Sequence, residues 1–247
     1  MLIVGNWKAY VQSETKARKL FTTAKKLSKR SGIEIVIAPP APYIGILAPG
    51  NRSKVVFASQ DLSLSAGGAA TGEVTAAMLA DLGVKYAILG HSERRALGET
   101  DVIVAQKVAH ALANKVRPIV CVGERERDID AKYLGFLRAQ IHAVFEPLSP
   151  KDREQVIIAY EPIWAIGKTA SDALMPTDLI EMVLYIRKIL GEYLPGKAVL
   201  NVKIIYGGSV EAKNVQALAD STGVDGLLPG HASADSDTFT ALIKALL

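Results

Sequence analysis

The sequence predicts an α/β protein, a single-domain closed (β/α)8 barrel spanning residues 1–247. Three observations carry this expectation. Short β-branched runs alternate along the whole chain with stretches whose apolar residues recur at helical spacing, which implies a parallel sheet. The short runs are apolar throughout rather than alternating, as strands buried on both faces must be. Finally, eight such units with short connections and no linker suit a ring better than an open sheet at this length.

In order, Leu2–Trp7 is the first strand candidate, and it ends in Asn6-Trp7-Lys8. Thr15–Lys29 reads as a helix, with Ala17, Leu20, Phe21, Ala24 and Leu27 on one face. Ile33–Ala38 is a strand closed by Pro39-Pro40, and Lys54–Ser59 is a third, followed by a Gly/Ser/Ala loop to Gly72. Ala76–Leu82 is a short helix; Tyr86–Leu89 is a strand running into Gly90-His91. Asp101–Asn114 is helical, Pro118–Val122 is a strand ending at Gly123-Glu124, and Ala131–Phe145 is helical again. Val156–Tyr160 is the sixth strand. Pro162 has no N–H to donate and biases Glu161 towards an extended conformation, so the strand ends at that pair. Asp178–Gly191 is a helix with Pro176 near its start. Val202–Tyr206 runs into Gly207-Gly208-Ser209, Val215–Ala219 lies on a helix, Val224–Leu228 is the last strand and Asp235–Leu246 the last helix.

Composition narrows the function. Lys and Arg number 29 against 25 Asp and Glu, aromatics are 6%, and no nucleic-acid recognition motif occurs, so no nucleic-acid partner is expected. Lys25, Lys26, Lys29 and Arg30 read as the solvated end of a helix. One cysteine, Cys121, rules out an internal disulfide framework or a multi-thiolate zinc site and suits a reducing cytoplasm. On its apolar strand it reads as a core residue. Leu2-Ile3-Val4 is too short for a signal segment, and no apolar run approaches the ~18 residues of a membrane span.

The unusual residues fall at strand ends. Asn6 and Lys8 end the first strand, His91 and Glu93 the fourth, and Glu161 the sixth; Gly207-Gly208-Ser209 follows the seventh and Gly230 the eighth. In a closed barrel these converge on one rim, where such folds hold phosphates in the last two loops. Lysine, histidine and carboxylate beside an anion pocket suit proton transfer next to a carbonyl. Pro162 and Trp164 read as a stiff hinge for a small, polar lid from Gly167 to Ser171. Other motifs fail. Gly167-Lys168-Thr169 lacks the first glycine of a P-loop, Pro162 standing there. His91-Ser92-Glu93 lacks the paired cysteines of a zinc deaminase.

Gly5-Asn6-Trp7-Lys8, Gly90-His91-Ser92-Glu93-Arg94-Arg95, Tyr160-Glu161-Pro162-Ile163-Trp164-Ala165-Ile166-Gly167 and Tyr206-Gly207-Gly208-Ser209-Val210 together resemble the signatures of the triosephosphate isomerase family. The resemblance implies interconversion of dihydroxyacetone phosphate and D-glyceraldehyde 3-phosphate through an enediol(ate), without cofactor or metal. It implies Glu161 as the base, a neutral His91 as donor to the carbonyl with Asn6 assisting, Lys8 as the counter-charge and Glu93 as an orienting group. It assigns phosphate contacts to backbone N–H groups at Gly167, Ser209 and Gly230, with His231 beside them. It also implies a homodimer, with Thr71, Glu73 and Arg94 at positions that serve the family's subunit contact.

Three stretches depart from the family pattern. The lid reads Gly167-Lys168-Thr169-Ala170, without the usual Thr-Gly before the lysine. Ala70 stands where the family has phenylalanine. Leu228-Pro229-Gly230-His231 replaces valine and a second glycine by Pro229 and His231. At His231 φ should be negative, or else a positive-φ strain of ~1–3 kcal/mol must be offset elsewhere, and the imidazole is expected to turn away from the phosphate while the loop keeps its donor role. Two other readings stay open: a barrel that binds a sugar phosphate without turning it over, and an aldolase-like enzyme using Lys8 as a Schiff base.

Overall fold

A computed structural model describes residues 1–30, 32–165, 174–221 and 223–247. Eight strands form one closed, all-parallel barrel in chain order, β1 pairing with β2 (Ile3 beside Ile35) and closing on β8 (Leu2 beside Gly226). The strands are β1 Leu2–Asn6, β2 Glu34–Ala38, β3 Val56–Ser59, β4 Tyr86–Leu89, β5 Arg117–Val122, β6 Ile157–Tyr160, β7 Ile204–Tyr206 and β8 Gly226–Leu227. The surrounding helices are α1 Glu14–Arg30, α2 Ala41–Leu47, α3 Ala76–Asp81, α4 Ser92–Ala96, α5 Asp101–Ala113, α6 Lys132–Phe145, α7 Pro150–Arg153, α8 Pro176–Leu190, α9 Val215–Ser221 and α10 Ser236–Lys244.

Local chemistry starts these helices. Thr75, Thr100 and Asp235 each accept a backbone N–H of the following turn, and prolines open α2, α7 and α8. The predicted barrel is present, with differences at the edges. α2, α4 and α7 had no counterpart in the sequence reading. They are short (seven, five and four residues), and too few turns lie in them for a 3.6-residue period to stand out. Residues Gly196–Asn201 form a 3-10 helix, so β7 starts at Ile204 rather than Val202. β4 stops at Leu89, and Glu93 lies in the first turn of α4 instead of ending the strand.

Strand alternation sorts the core into two layers. One cluster takes alternate positions of seven strands and the residue just after β8: Leu2 and Val4, Val36 and Ala38, Ala58, Tyr86 and Ile88, Ile119 and Cys121, Ile157 and Ala159, Ile205, then Leu228. The intervening residues, among them Ile3, Ile35, Val120, Ile158 and Tyr160, join the buried helix faces in a second cluster. Continued by one step, the inner series places Asn6 after Leu2 and Val4, and Glu161 after Ile157 and Ala159. The same rule that fills the barrel with apolar side chains therefore puts an amide and a carboxylate on its upper floor.

Candidate active site

That floor opens into a pocket of about 690 Å³ bordered by Asn6, Lys8, His91 and Glu161 on one side and the loops after β7 and β8 on the other. Glu161 is 3% exposed. Its Oε1 lies 3.4 Å from His91 Nε2, while Oε2 is buried without a hydrogen-bond partner among the described residues. Gly123 and Gly207 make room for it. A Cβ on Gly123 would sit 1.8 Å from the Glu161 carbonyl oxygen, and one on Gly207 would sit 2.7 Å from Glu161 Cγ.

His91 immediately precedes α4, and its Nδ1 accepts the backbone N–H of Glu93 at 3.1 Å. A peptide N–H only donates, so Nδ1 presents its lone pair, and the proton of the neutral ring resides on Nε2, the nitrogen facing Glu161. Lys8 occupies an unusual backbone conformation, with φ +45°; a non-glycine residue there carries strain of ~1–3 kcal/mol. Two side chains hold it: Asn6 Oδ1 accepts the Lys8 N–H at 3.1 Å, and Gln60 Nε2 donates to the Lys8 carbonyl at 3.2 Å. Lys8 Nζ reaches Glu93 Oε1 at 2.8 Å.

The other rim residues also gather here. Ser209 Oγ donates to the Ala165 carbonyl at 3.0 Å, joining the loop after β7 to the 3-10 turn Ile163–Ala165 that follows β6. The N–H groups of Gly230 and His231 donate to no protein acceptor among the described residues. His231 is not among the residues with positive φ, the first of the two conformations open to it, and its exposed ring stands edge-on to Tyr10 with centroids 5.5 Å apart. Gly167 and the lid around it lie outside the described residues. Cys121 is a core residue: burial pushes its thiol well above the usual range, and the charge of Glu161 adds to the effect.

Sequence reasoning missed Glu124. It is 1% exposed, and it accepts the hydroxyl of Tyr160 at 2.9 Å and the indole N–H of Trp164 at 2.9 Å. Burial, and then the Glu124 charge, push the Tyr160 phenol upward, so it stays a donor. This buried carboxylate ties the strand bearing Glu161 to the short 3-10 turn Ile163–Ala165 that follows Pro162. The signal available was Gly123-Glu124 at a strand end; with Val122 beside Tyr160, Glu124 lies one residue further along than Glu161 and so faces the opposite side of the wall.

The triosephosphate isomerase family model matches residues 1–246. The chain belongs to the triosephosphate isomerase family. Relatives carrying that name include those of Thermus thermophilus, 40% identical over 250 residues (99% of this chain, 98% of the relative), and Rhodopirellula baltica, 39% identical over 252 residues (99% and 97%). The one from Moorella thermoacetica is 39% identical over 250 residues (98% and 97%). As a family member the chain is an isomerase, and the reading as a non-catalytic sugar-phosphate-binding barrel finds no support. No described helix is long and apolar enough to cross a membrane.

Proposed function

We propose that this chain interconverts dihydroxyacetone phosphate and D-glyceraldehyde 3-phosphate, a step of glycolysis and gluconeogenesis, using Glu161, His91, Lys8 and Asn6. The observation that carries this assignment is the buried Glu161 carboxylate, one oxygen without a partner among the described residues and the other facing His91 Nε2. The substrate phosphate would be held by backbone N–H groups at Gly230 and His231 and in the loop at Ser209, as oriented peptides hold anions. Glu161 takes a proton from the carbon next to the carbonyl, and that C–H electron pair becomes the carbon–carbon double bond. The carbonyl π pair moves onto oxygen, where the His91 Nε2–H and the Lys8 ammonium stabilise it. A proton then passes between the two oxygens, and Glu161 returns a proton to the neighbouring carbon. Glu93 fixes the histidine tautomer through its N–H and aims Lys8 through its carboxylate.

Because the proton rests on a carboxyl group that exchanges with solvent, isomerisation in D2O should leave deuterium on the product carbon. Absence of interconversion in a coupled assay would overturn the assignment. The reaction needs no metal or cofactor, and a chain with one buried cysteine suits the cytoplasm. The chain acts as one domain with no nucleic-acid partner.

The loop after β3, with Thr71 and Glu73, and the neighbouring Arg94 support a homodimer. Arg94 is held at 2.9 Å by Asp61, which also binds the buried Lys107. Leu97 and Val102 stand 80% and 65% exposed beside it, apolar surface that a second subunit would cover. Ala70 should make the loop anchor weaker, since loss of a buried phenylalanine side chain costs ~3–5 kcal/mol where neighbours do not fill the space. Light scattering at micromolar concentration should report a dimer; monomer alone would refute it.

A further inference from the structure

The densest positive charge on the chain lies away from the rim. α1 carries seven Lys and Arg against a single carboxylate, Glu14, whereas the whole chain carries 29 against 25. The remainder of the chain is therefore net acidic. Part of the α1 charge borders a groove of about 640 Å³ between α1 and the turn that follows α2. Arg18, Lys25, Lys26 and Lys29 line it from the helix, Arg52 lines it from the turn, and no carboxylate among the described residues does. The side chains of Phe21 and Leu47, both buried, and of the half-exposed Ile46 give it an apolar base.

Arg18 is paired with Glu14 at 2.7 Å. Lys25, Lys26, Lys29 and Arg52 have no carboxylate within 4.0 Å among the described residues; Lys25 Nζ instead stands 4.7 Å from the centroid of the Phe21 ring. The ordinary explanation for cations at the end of a helix is its macrodipole, which favours them in the last turn. That accounts for Lys29, but not for Arg52, which reaches the same groove from another segment. It also leaves Lys25 and Lys29 four residues apart, a like-charge spacing that disfavours the helix. The sequence alone reads this run as a solvated helix end; the fold turns it into one wall of a concave, two-sided cationic groove.

We propose that the groove binds a small oligophosphate, a ligand bearing two or more linked phosphates. Several unpaired cations on two walls match several anionic groups, whereas one orthophosphate brings a single dianion. The volume falls within the ~300–1,000 Å³ usual for small-molecule sites, and the apolar base would seat a ring attached to the phosphates. Nucleic acid fits less well. Single strands need aromatic faces to stack on, and the one aromatic ring in the lining, Phe21, is buried and capped by Lys25. The groove adjoins the segment leading into the first residue of β3, at the opposite end of the barrel from the rim, so its occupant touches none of the residues assigned to the reaction.

The test is an amide NMR titration of the 15N-labelled chain at low salt, with sodium tripolyphosphate, ATP and orthophosphate as probes. Tripolyphosphate and ATP should shift the amides of residues 21–29 and 47–53 saturably, with midpoints at least tenfold below that of orthophosphate. In Lys29→Glu/Arg52→Glu the midpoint should rise at least tenfold, and in Lys29→Gln/Arg52→Gln by a smaller factor. The response of rim amides 207–211 and 228–233, and isomerase activity, should be unchanged. No saturable shift in the groove, equal midpoints in wild type and variants, or orthophosphate binding as well as tripolyphosphate would overturn the proposal. So would a single-stranded oligonucleotide that shifts the same amides at lower concentration. Rim amides and activity report separately on the catalytic reading, so the two can fail independently.

Discussion

Both ends of the barrel hold polar side chains against an apolar interior, and they handle them in opposite ways. At the N-terminal end the groups are matched. Tyr86 donates to Glu34 at 2.8 Å, Lys203 stands 3.8 Å from the same carboxylate, and Arg187 and Asp225 pair at 3.0 Å. Asp225 also accepts the N–H of Ile204, fixing the start of β7. At the C-terminal end Glu161 is buried, Lys8 holds a strained backbone, and among the described residues one Glu161 oxygen has no partner and two loop N–H groups have no protein acceptor. Unmet hydrogen-bonding capacity is costly wherever it is dry. Its gathering around Glu161, Lys8 and the last two loops sets this rim apart from the paired groups that help to hold the ring closed.

Substitutions at the two ends should therefore differ in what they change. The largest effect is expected for Glu161→Gln, which keeps shape and removes the base: kcat should fall by roughly 10²–10⁴-fold or more with substrate still bound. A variant with over a tenth of wild-type kcat would show that the unpartnered carboxylate is not the working group. Gly207→Ala comes next. Its methyl would stand 2.7 Å from Glu161 Cγ, and displacing the carboxylate by about an ångström should lower kcat on the order of 10²-fold with a native melting curve. Wild-type turnover in that variant would mean that the carboxylate does not work from this position.

His231→Gly tests whether the rim binds its anion through peptides or through side-chain charge. With the imidazole placed against Tyr10, affinity for a phosphate-bearing transition-state analogue should change by less than tenfold from pH 5.5 to 8. A greater loss confined to low pH would make the ring a ligand. The smallest effect belongs to the matched end. Tyr86→Phe should cost about 0.5–1.5 kcal/mol of stability and leave kcat unchanged. Burial and the Glu34 carboxylate push the Tyr86 phenol up to about 12, against about 10 in the unfolded chain. The folded state thus favours the protonated phenol. That contribution is complete below pH 10 and is lost as pH rises towards 12, so urea midpoints of wild type and variant should converge over this window. Parallel curves would remove Tyr86 from the account.

Much of this layout was legible because it follows from a period of two. Apolar runs marked the strands, and residues just past them marked the rim, so Asn6, Lys8, His91 and Glu161 group together from the sequence alone. What escaped needed partners from elsewhere in the chain. Glu124 resembles any strand-end glutamate until Tyr160 and Trp164 are seen to donate to it. Gln60 follows β3 without distinction until it is found holding the Lys8 carbonyl. α2 follows Pro39-Pro40 and carries Gly45, a composition that reads as loop; it forms because Ile44 and Leu47 find a buried seat. The cationic groove was hidden for the same reason, since Arg52 lies 23 positions beyond Lys29 in the sequence.

Tyr160 and Glu161 are neighbours on one strand end that face opposite sides of the wall, one towards Glu124 and the helices, the other into the pocket. A single inserted or deleted residue within β6 would exchange them, presenting a phenol to the substrate and burying the carboxylate beneath the helices. The loops of this barrel can change length without touching that parity, whereas the strands that feed the rim cannot. Length variation among functional descendants of this chain should accordingly fall between strands, and a one-residue change inside β6 should mark a lineage that has given up the reaction.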